Sequence, residues 1–402
     1  MTDEWKQTTI GDISKRITKG TTPTTLGMSF TDFGVNFIKA EALNGDVCLD
    51  KKGFSFISDE THKSLGRSIL ELDDILITIA GANIGKCGYV RKQYLPANTN
   101  QAVAIIRTDN QKVIPRYIYY YFKLPKTFFS IQSLNAQAAQ PNINLNSLGK
   151  IKLHLPPLHI QKKIAAILSA YDDLIENNLK QIKLLEEMAQ ITYQEWFVRL
   201  KFPNHENTPI DETTGLPIGW EYKKLGDCCD IIMGQSPKSE FYNNEEIGLP
   251  FHQGVKDYGD RFPLNTCWST EGYRKANKGD IIFSVRAPVG RLNVAIEEII
   301  LGRGLSAIRH KQDYQCFLFY QLQNIFFQDN LMGGGTIFNS VTKNDMFRIE
   351  IICPNEELVK IYNSFAEKND KSIECFYKQN QLLKEARDIL LPRLMTGKIT
   401  VE

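Results

Sequence analysis

The sequence contains no run of about 18 apolar residues, and this absence predicts that the chain does not cross a membrane. The polar start Met1-Thr2-Asp3-Glu4 lacks the apolar core of a signal peptide, so we expect a cytoplasmic protein with no membrane partner. Its 8 cysteines have neither CxxC nor Cys/His ligand spacing, which predicts reduced thiols and no bound metal. The adjacent pair Cys228-Cys229 is interpreted as core packing.

Motifs for catalysis are also missing from the sequence. The turn at residues 81–86 has one residue too few between its glycines for a phosphate-binding Walker A loop, and Cys87 follows where Ser or Thr should bind magnesium. The only Pro-Pro pair is preceded by Leu155 instead of the Asn or Asp of an amino-methyltransferase motif. The 6 histidines are isolated. We therefore predict no catalytic residues and no cofactor in this chain; nucleotide binding by the turn at 81–86 is the weakest alternative.

What the chain does contain is an internal repeat. A Gly/Pro turn at residues 19–23 recurs at 233–237, and a buried-strand pattern at 73–78 recurs at 278–284. An aromatic segment follows in each copy, and its residues, such as Tyr119-Tyr120-Tyr121, are predicted to be core because apolar neighbours surround them. Two copies of one module predict two similar tasks.

A heptad pattern follows each module. It predicts one helix from about residue 158 to 199 and a second one near the C-terminus. Such helices bury their apolar faces by pairing with each other. The predicted seam consists of Ile164, Leu168, Tyr171, Ile175, Asn178, Ile182 and Leu185 in the first helix, and Ile361, Phe365, Ile373, Phe376, Asn380 and Leu383 in the second. The two asparagines either weaken the seam while fixing its register or face solvent at a frayed seam.

The order of these parts predicts an α+β protein. Two tandem α/β domains are each followed by a long helix, and the two helices pair as an antiparallel coiled coil with pseudo-two-fold symmetry. The predicted boundaries are a first domain at 1–155, a central helix at 156–201, a Pro/Gly-containing linker at 202–219, a second domain at 220–353 and a C-terminal helix at 354–402.

Charge alone gives only weak support for a nucleic-acid partner. The net charge is +2, but residues 1–157 carry 19 Lys and Arg against 13 Asp and Glu, whereas residues 202–354 carry 15 against 19. A basic balance favours contact with phosphates. The second module must therefore rely on a local patch of basic side chains.

Together the motifs resemble those of a known family. The segments are Leu155-Pro156-Pro157-Leu158 with Gln161, then Trp196-Phe197, and finally Leu-Pro-Arg-Leu-Met-Thr-Gly-Lys-Ile at 391–399. In this order, and over essentially the whole chain, they resemble the specificity subunit of Type I restriction-modification enzymes. The second helix departs from the commonest pattern, because it opens with Asn355-Glu356-Glu357 and lacks a counterpart of Gln161.

The resemblance implies a non-catalytic DNA-reading protein with two target recognition domains. Each domain would read one half of a bipartite sequence in double-stranded DNA, and the helices would act as a spacer between the halves. The helices would also dock two methyltransferase (modification) subunits, and motor-nuclease (restriction) subunits would join through the complex. S-adenosylmethionine, ATP and Mg are expected only on these partners, which would methylate adenine and cleave DNA under the direction of this chain.

DNA reading needs Arg or Lys for guanine, Asn or Gln for adenine, and further polar groups for phosphates. Such residues cluster in loops of both modules, although any one of them alone is more often a solvated loop residue. In the first module the candidates are Lys19, Thr21, Thr22, Asn83, Lys86, Arg91, Lys92, Asn98, Asn100, Gln101, Gln140 and Asn142. In the second they are Gln235, Ser236, Lys238, His252, Gln253, Lys256, Arg274, Arg286, Arg291, Arg303 and Lys343.

The ends of the two helices are predicted to contact partner subunits. Trp196 and Phe197 are too apolar for open solvent, so they either pack on their own module or meet another subunit. Leu394 and Met395 are the C-terminal counterparts. The main alternative function is a tandem coiled-coil adaptor whose modules bind a partner other than DNA; it would show no salt-dependent DNA affinity.

Overall fold

The computed structural model describes residues 5–45, 47–134, 142–327 and 340–401. The chain forms two compact units, of which unit 1 comprises Met1–Leu179 with Lys378–Glu402 and unit 2 comprises Lys180–Tyr377. Each unit therefore contains one module and a segment of both long helices. The linear domain boundaries expected from the sequence remain a prediction, because this division into units cuts through both helices.

The described residues of unit 1 form sheets of four, three and two strands. The strands are β1 (Lys6–Thr9), β2 (Ser14–Lys19), β3 (Val35–Ile38), β4 (Phe54–Ile57), β5 (Ile75–Thr78), β6 (Cys87–Tyr89), β7 (Ala97–Thr99), β8 (Val103–Thr108) and β9 (Lys152–Leu155). The helices are α1 (Asp59–Ser64), α2 (Pro115–Lys123), α3 (Pro125–Ser133), α4 (Leu145–Gly149) and the start of α5 (Leu158–Tyr193).

The described strands of unit 1 pair in the order β2-β8-β5-β6 and β4-β3-β7, and β1 pairs with β9 just before α5. All four residues of β5 are buried, as its unbroken apolar run predicts. Helix α2 packs on this sheet through Tyr117, Tyr119 and Tyr120, which are almost fully buried. The prediction that this aromatic segment belongs to the core is confirmed for Tyr119 and Tyr120.

Unit 2 repeats the plan. Its strands are β10 (Glu221–Lys224), β11 (Cys229–Met233), β12 (Tyr242–Asn243), β13 (Leu249–His252), β14 (Trp268–Ser269), β15 (Lys275–Ala276), β16 (Ile281–Ser284), β17 (Leu292–Val294), β18 (Ile299–Leu301), β19 (Leu305–His310) and β20 (Glu350–Cys353). Its helices are α6 (Leu225–Cys228), α7 (Gln315–Phe327), α8 (Lys343–Arg348) and the start of α9 (Glu356–Met395). The sheet order β11-β19-β16-β17 and the closing pair β10-β20 match the first unit.

Within unit 1 the two long helices pair with opposite directions. The side chain of Asn178 donates to the Asn380 Oδ1 and the Gln379 Oε1, both at 2.9 Å, and both asparagines are buried. About two turns after Asn380 in α9, Arg387 forms an ion pair with Asp172 of α5. The alternative in which these asparagines face solvent is therefore wrong, and they form a polar contact inside the seam.

Within unit 2 the predicted seam needs a correction in α9. Ile361 is 49% exposed, whereas Tyr362 is fully buried and its hydroxyl donates to the Ala189 carbonyl oxygen at 2.9 Å. The buried positions then continue through Ala366, Asn369 and Ile373. The prediction was wrong by one residue at this end of α9. Polar residues such as Asn369 lie on the buried face and make that face look less apolar than the one that contains Ile361.

The residues expected to dock partner subunits lie in the cores of their own units. Phe197 is buried among aromatic side chains of unit 2, and Trp196 packs partly buried against the same cluster. Leu394 and Met395 are buried in the core of unit 1. The interpretation of these four side chains as a docking surface is therefore replaced by packing on their own module.

The asparagine contact gives a prediction about stability. Replacing Asn178 by leucine should lower the free energy of unfolding by about 1–3 kcal/mol, because the buried Asn380 amide loses its partner. The double variant Asn178→Leu with Asn380→Leu should recover most of that loss, since no unsatisfied polar group remains. Urea denaturation of the two single variants and the double variant forms a mutant cycle. Additive losses in the double variant would contradict the pairing.

Candidate nucleic-acid interface

Each unit has a glycine turn that holds two loops against each other. In unit 1 the turn follows β2, and the Thr21 amide donates to the Thr99 carbonyl oxygen at 3.1 Å. A Cβ at Gly20 would overlap the backbone of residues 99 and 100. In unit 2 the turn follows β11, and a Cβ at Gly234 would overlap the Gly302 carbonyl oxygen. Only glycine permits this close approach, which places the side chains of both loops together.

The loops of unit 1 bring four polar side chains together, which we call cluster 1: Thr21, Thr22, Arg67 and Gln101. The Thr22 hydroxyl donates to the Gln101 Oε1 at 2.9 Å. The Arg67 guanidinium donates to the Thr21 hydroxyl at 2.8 Å. Arg67 and Gln101 are exposed, so cluster 1 presents one guanidinium and one carboxamide to solvent.

Asn100 lies beside cluster 1. Its side-chain oxygen is buried and has no hydrogen-bond partner among the described residues. A buried acceptor without a partner is costly, and binding a donor would remove that cost. This buried acceptor supports a role for the loop in binding.

The loops of unit 2 form cluster 2 at the equivalent place: Gln235, Ser236, Tyr273 and Arg303. The Gln235 amide donates to the Leu301 carbonyl oxygen at 2.9 Å, and the Arg303 amide donates to the Ser236 hydroxyl at 3.3 Å. Gln235, Ser236 and Tyr273 line an open cleft of about 330 Å³. Tyr273 is 89% exposed, so its ring is available to stack on a base.

A second cleft of about 260 Å³ adjoins cluster 2 and is lined by Gln253, Arg286 and Arg303. Arg286 follows the buried strand β16 and forms a backbone bridge with Ser340, so its main chain is held rigidly. Both arginines are exposed, and no carboxylate of the described residues pairs with either. Two unpaired guanidinium groups beside a carboxamide suit the guanine and phosphate groups of DNA.

The remaining candidates of unit 1 lie in different environments. Lys19, Asn83, Lys86 and Asn100 are half-buried, and Lys92 and Asn142 are exposed. Gln140 lies outside the described residues. Arg91 forms ion pairs with Asp173 and Glu176 of α5 and is 16% exposed, so we leave it out of the proposed interface. Asn98 is fully buried and hydrogen-bonded to its own unit, so it too is left out.

The remaining candidates of unit 2 are exposed apart from one. Lys238, Lys256, Arg274, Arg291 and Lys343 all lie at the surface. His252 is fully buried, and its Nε2 lies 3.0 Å from the Asn265 side-chain oxygen. Burial lowers the pKa of His252, so the ring is neutral near pH 7 and adds no charge for phosphate. We therefore leave His252 out of the proposed interface.

Arg67 and Tyr273 were missed by the sequence reasoning. They follow Gly66 and Gly272. Each lies just before a segment with a backbone hydrogen bond to the equivalent strand, Leu70 to Ala97 of β7 and Arg274 to Leu301 of β18. The matching glycines were the available signal, but the surrounding residues differ so much that the repeat is hard to see there.

The glycine turns give a second prediction. Replacing Gly234 by alanine should lower the free energy of unfolding by about 1–3 kcal/mol, because the added methyl group overlaps backbone that cannot move freely. Gly254→Ala is the matched control, since a Cβ there meets nothing within 4 Å and its φ of −176° is extended backbone. Urea denaturation of both variants measures the difference. Equal midpoints would show that the turn tolerates a side chain.

The two clusters present polar and cationic side chains of the kinds that contact DNA bases and phosphates. A group of three or more metal-binding side chains is absent from the part of the chain that the structure describes, and in that same part no helix is long and apolar enough to span a bilayer.

The comparisons with known proteins identify the family. A model described as the Type I restriction modification DNA specificity domain matches residues 2–187 and 217–384, so this chain belongs to that family. Its members direct a type I restriction-modification system to a DNA sequence and carry out no catalysis themselves. The sequence-based assignment to this family, as a non-catalytic specificity subunit, is confirmed.

Two relatives and one solved structure are similar over nearly their full lengths. The chain is 30% identical to the protein named as the type I restriction enzyme MjaX specificity subunit of Methanocaldococcus jannaschii, covering 100% of this chain and 95% of the relative. It is 27% identical to the MjaIX specificity subunit of the same organism, covering 99% and 97%. The crystal structure of the type I S subunit from M. genitalium shares the fold, with a TM-score of 0.60, 15% identity and coverage of 98% and 97%.

Proposed function

We propose that clusters 1 and 2 each contact one half of a bipartite target in double-stranded DNA. The observation that carries this proposal is the repetition of one loop arrangement with different polar side chains. Thr21, Thr22 and Gln101 in unit 1 correspond to Gln235, Ser236 and Arg303 in unit 2. A common scaffold with exchanged donors and acceptors can read two different sequences.

Partner methyltransferase subunits would dock on an apolar stripe of each unit. In unit 2 the stripe is Leu184 and Ile191 of α5, each 58% exposed. In unit 1 it is Leu382 and Ile389 of α9, which are 66% and 46% exposed. Both pairs are seven residues apart and so lie on one face of their helix. Leu382 follows Leu184, and Ile389 follows Ile191, by the same 198 residues. This repetition supports two equivalent docking sites.

The chemistry would then belong to the partners. Methyl transfer from S-adenosylmethionine to adenine is assigned to the methyltransferase subunits, and ATP- and Mg-dependent cleavage is assigned to motor-nuclease subunits. This chain would supply the sequence contacts and the docking stripes.

Long-read sequencing of DNA from cells with and without this gene tests the proposal. We expect one bipartite motif with a fixed gap to lose adenine methylation when the gene is deleted. Unchanged methylation, together with no salt-dependent DNA affinity of the purified complex, would contradict the proposal and favour an adaptor that binds a partner other than DNA.

The long helices give a further expectation about the gap between half-sites. A helical insertion of equal length in α5 and α9, placed at the unit boundaries after Leu179 and after Tyr377, should change the gap and leave both half-sites unchanged. The methylated motif of the variant, read by the same sequencing, checks this. A change of bases within a half-site would contradict the role of the helices as a spacer.

A further inference from the structure

We infer that Gln101 and Arg303 occupy one equivalent base-reading position, and that the residue type there selects adenine in one half-site and guanine in the other. This inference rests on the proposed function. It goes further because it assigns one base pair of each half-site to one side chain of each unit.

The strand register establishes that the two positions are equivalent. In unit 1 Lys19 of β2 pairs with Ala104 of β8, and Gln101 precedes Ala104 by three residues. In unit 2 Met233 of β11 pairs with Ser306 of β19, and Arg303 precedes Ser306 by three residues. The equivalent strands β8 and β19 therefore follow the two side chains at the same separation along the sequence.

The loop contacts repeat in the same way. The residue two positions after the turn glycine contacts this position in both units: the Thr22 hydroxyl reaches the Gln101 side chain, and the Ser236 hydroxyl accepts from the Arg303 amide. The Gly20 and Gly234 turns hold these loops close to each other. A side chain on such a support is pre-organised, so little ordering is needed on binding.

Chemistry then distinguishes the two residues. A glutamine carboxamide can both accept from N6 and donate to N7 of adenine, whereas an arginine guanidinium donates two hydrogen bonds to O6 and N7 of guanine. Both side chains are exposed, and no carboxylate among the described residues neutralises Arg303. Burial or an ion pair would have argued for a structural role, as it does for Arg91.

The neighbouring positions do not carry the inference equally well. Arg286 of unit 2 corresponds to Ala80 in unit 1. Each forms an isolated backbone bridge, Arg286 with Ser340 and Ala80 with Asn142. Arg67 corresponds to Tyr273, and these two residue types read bases by unrelated contacts. Gln101 and Arg303 exchange an adenine reader for a guanine reader, and both side chains are exposed.

The test uses Arg303→Gln and Gln101→Arg in the complete complex with its partner subunits. Methylated motifs are read by long-read sequencing, and bound sequences are selected from a DNA library with randomised half-sites. We expect Arg303→Gln to change one guanine of one half-site to adenine and Gln101→Arg to make the reverse change in the other. Discrimination against the original base should shift by roughly 5- to 150-fold, as expected for one bidentate contact.

Matched controls separate this effect from general damage. Gln7→Arg changes an exposed residue of β1, and Arg199→Gln changes an exposed residue that follows α5; both should leave both half-sites unchanged. Arg303→Lys should retain guanine with weaker binding. If Arg303→Gln abolishes binding while Arg303→Lys keeps the guanine preference, the assignment also holds.

Three results would overturn the inference. They are an unchanged half-site in Arg303→Gln and Gln101→Arg, a changed base in the half-site of the other unit, and loss of the guanine preference in Arg303→Lys. Failure of the proposed function looks different, because the wild-type complex itself would then show no bipartite motif.

Discussion

Replacing Arg387 by methionine is expected to lower the free energy of unfolding by about 3–5 kcal/mol, because a buried carboxylate then loses its counter-charge. The guanidinium donates to the Asp172 Oδ1 at 2.7 Å, and both side chains are almost fully buried in unit 1. The Tyr120 hydroxyl donates to the other Asp172 oxygen at 2.7 Å. Urea denaturation followed by circular dichroism measures the loss.

Two further variants identify the cause. Arg393→Met removes an exposed arginine from the same helix and should change the free energy of unfolding by no more than about 0.5 kcal/mol. Adding Asp172→Asn to Arg387→Met should recover most of the loss, since asparagine removes the buried charge and still accepts from Tyr120. Equal losses in Arg387→Met and Arg393→Met would show that the ion pair contributes nothing to stability.

The buried pair of Asp172 and Arg387 shows why the sequence could not predict the whole fold. The heptad spacing predicted α5 and its start at the Pro-Pro pair, because local periodicity and proline geometry are readable within one segment. The partner of Asp172 lies 215 residues away. A charged residue beside a predicted seam, such as Asp172, gives no indication in the sequence of whether a counter-charge faces it.

The same limit explains the error in α9. The buried face of α9 includes the polar residues Asn369 and Arg387. They obscure its apolar spacing, so the prediction placed Ile361 on the seam. Trp196 shows the opposite case, since its apolar character was recognised correctly but its partner was the core of its own unit. Residue type indicates burial more reliably than it indicates the surface against which a side chain is buried.

The candidate interface was predicted in part. The Gly/Pro turns were visible as matching motifs, and Gln101 and Arg303 were among the polar loop residues. His252 and Arg91 looked equally suitable in sequence, yet burial and ion pairing remove them from the proposed surface. DNA-reading side chains follow no periodic pattern, so only their three-dimensional neighbours distinguish them from solvated or structural residues.

Charged substitutions on the apolar stripes are expected to remove partner subunits one at a time. Leu184→Glu with Ile191→Glu should weaken docking on unit 2 by roughly 100-fold or more, because carboxylates would be buried against an apolar partner surface. Leu382→Glu with Ile389→Glu should do the same for unit 1. Native mass spectrometry of the co-expressed complex should therefore find one methyltransferase copy in each double variant, two in the wild type and none when all four changes are combined.

Glutamate at other exposed leucines shows whether the position or the charge matters. Leu72→Glu in unit 1 and Leu264→Glu in unit 2 change side chains that are 54% and 44% exposed outside the long helices. Both should retain two methyltransferase copies, because an exposed carboxylate away from the docking face costs little. Two copies retained in the stripe variants as well would contradict the docking stripes. Loss of both copies from a single double variant would instead show that the two sites depend on each other.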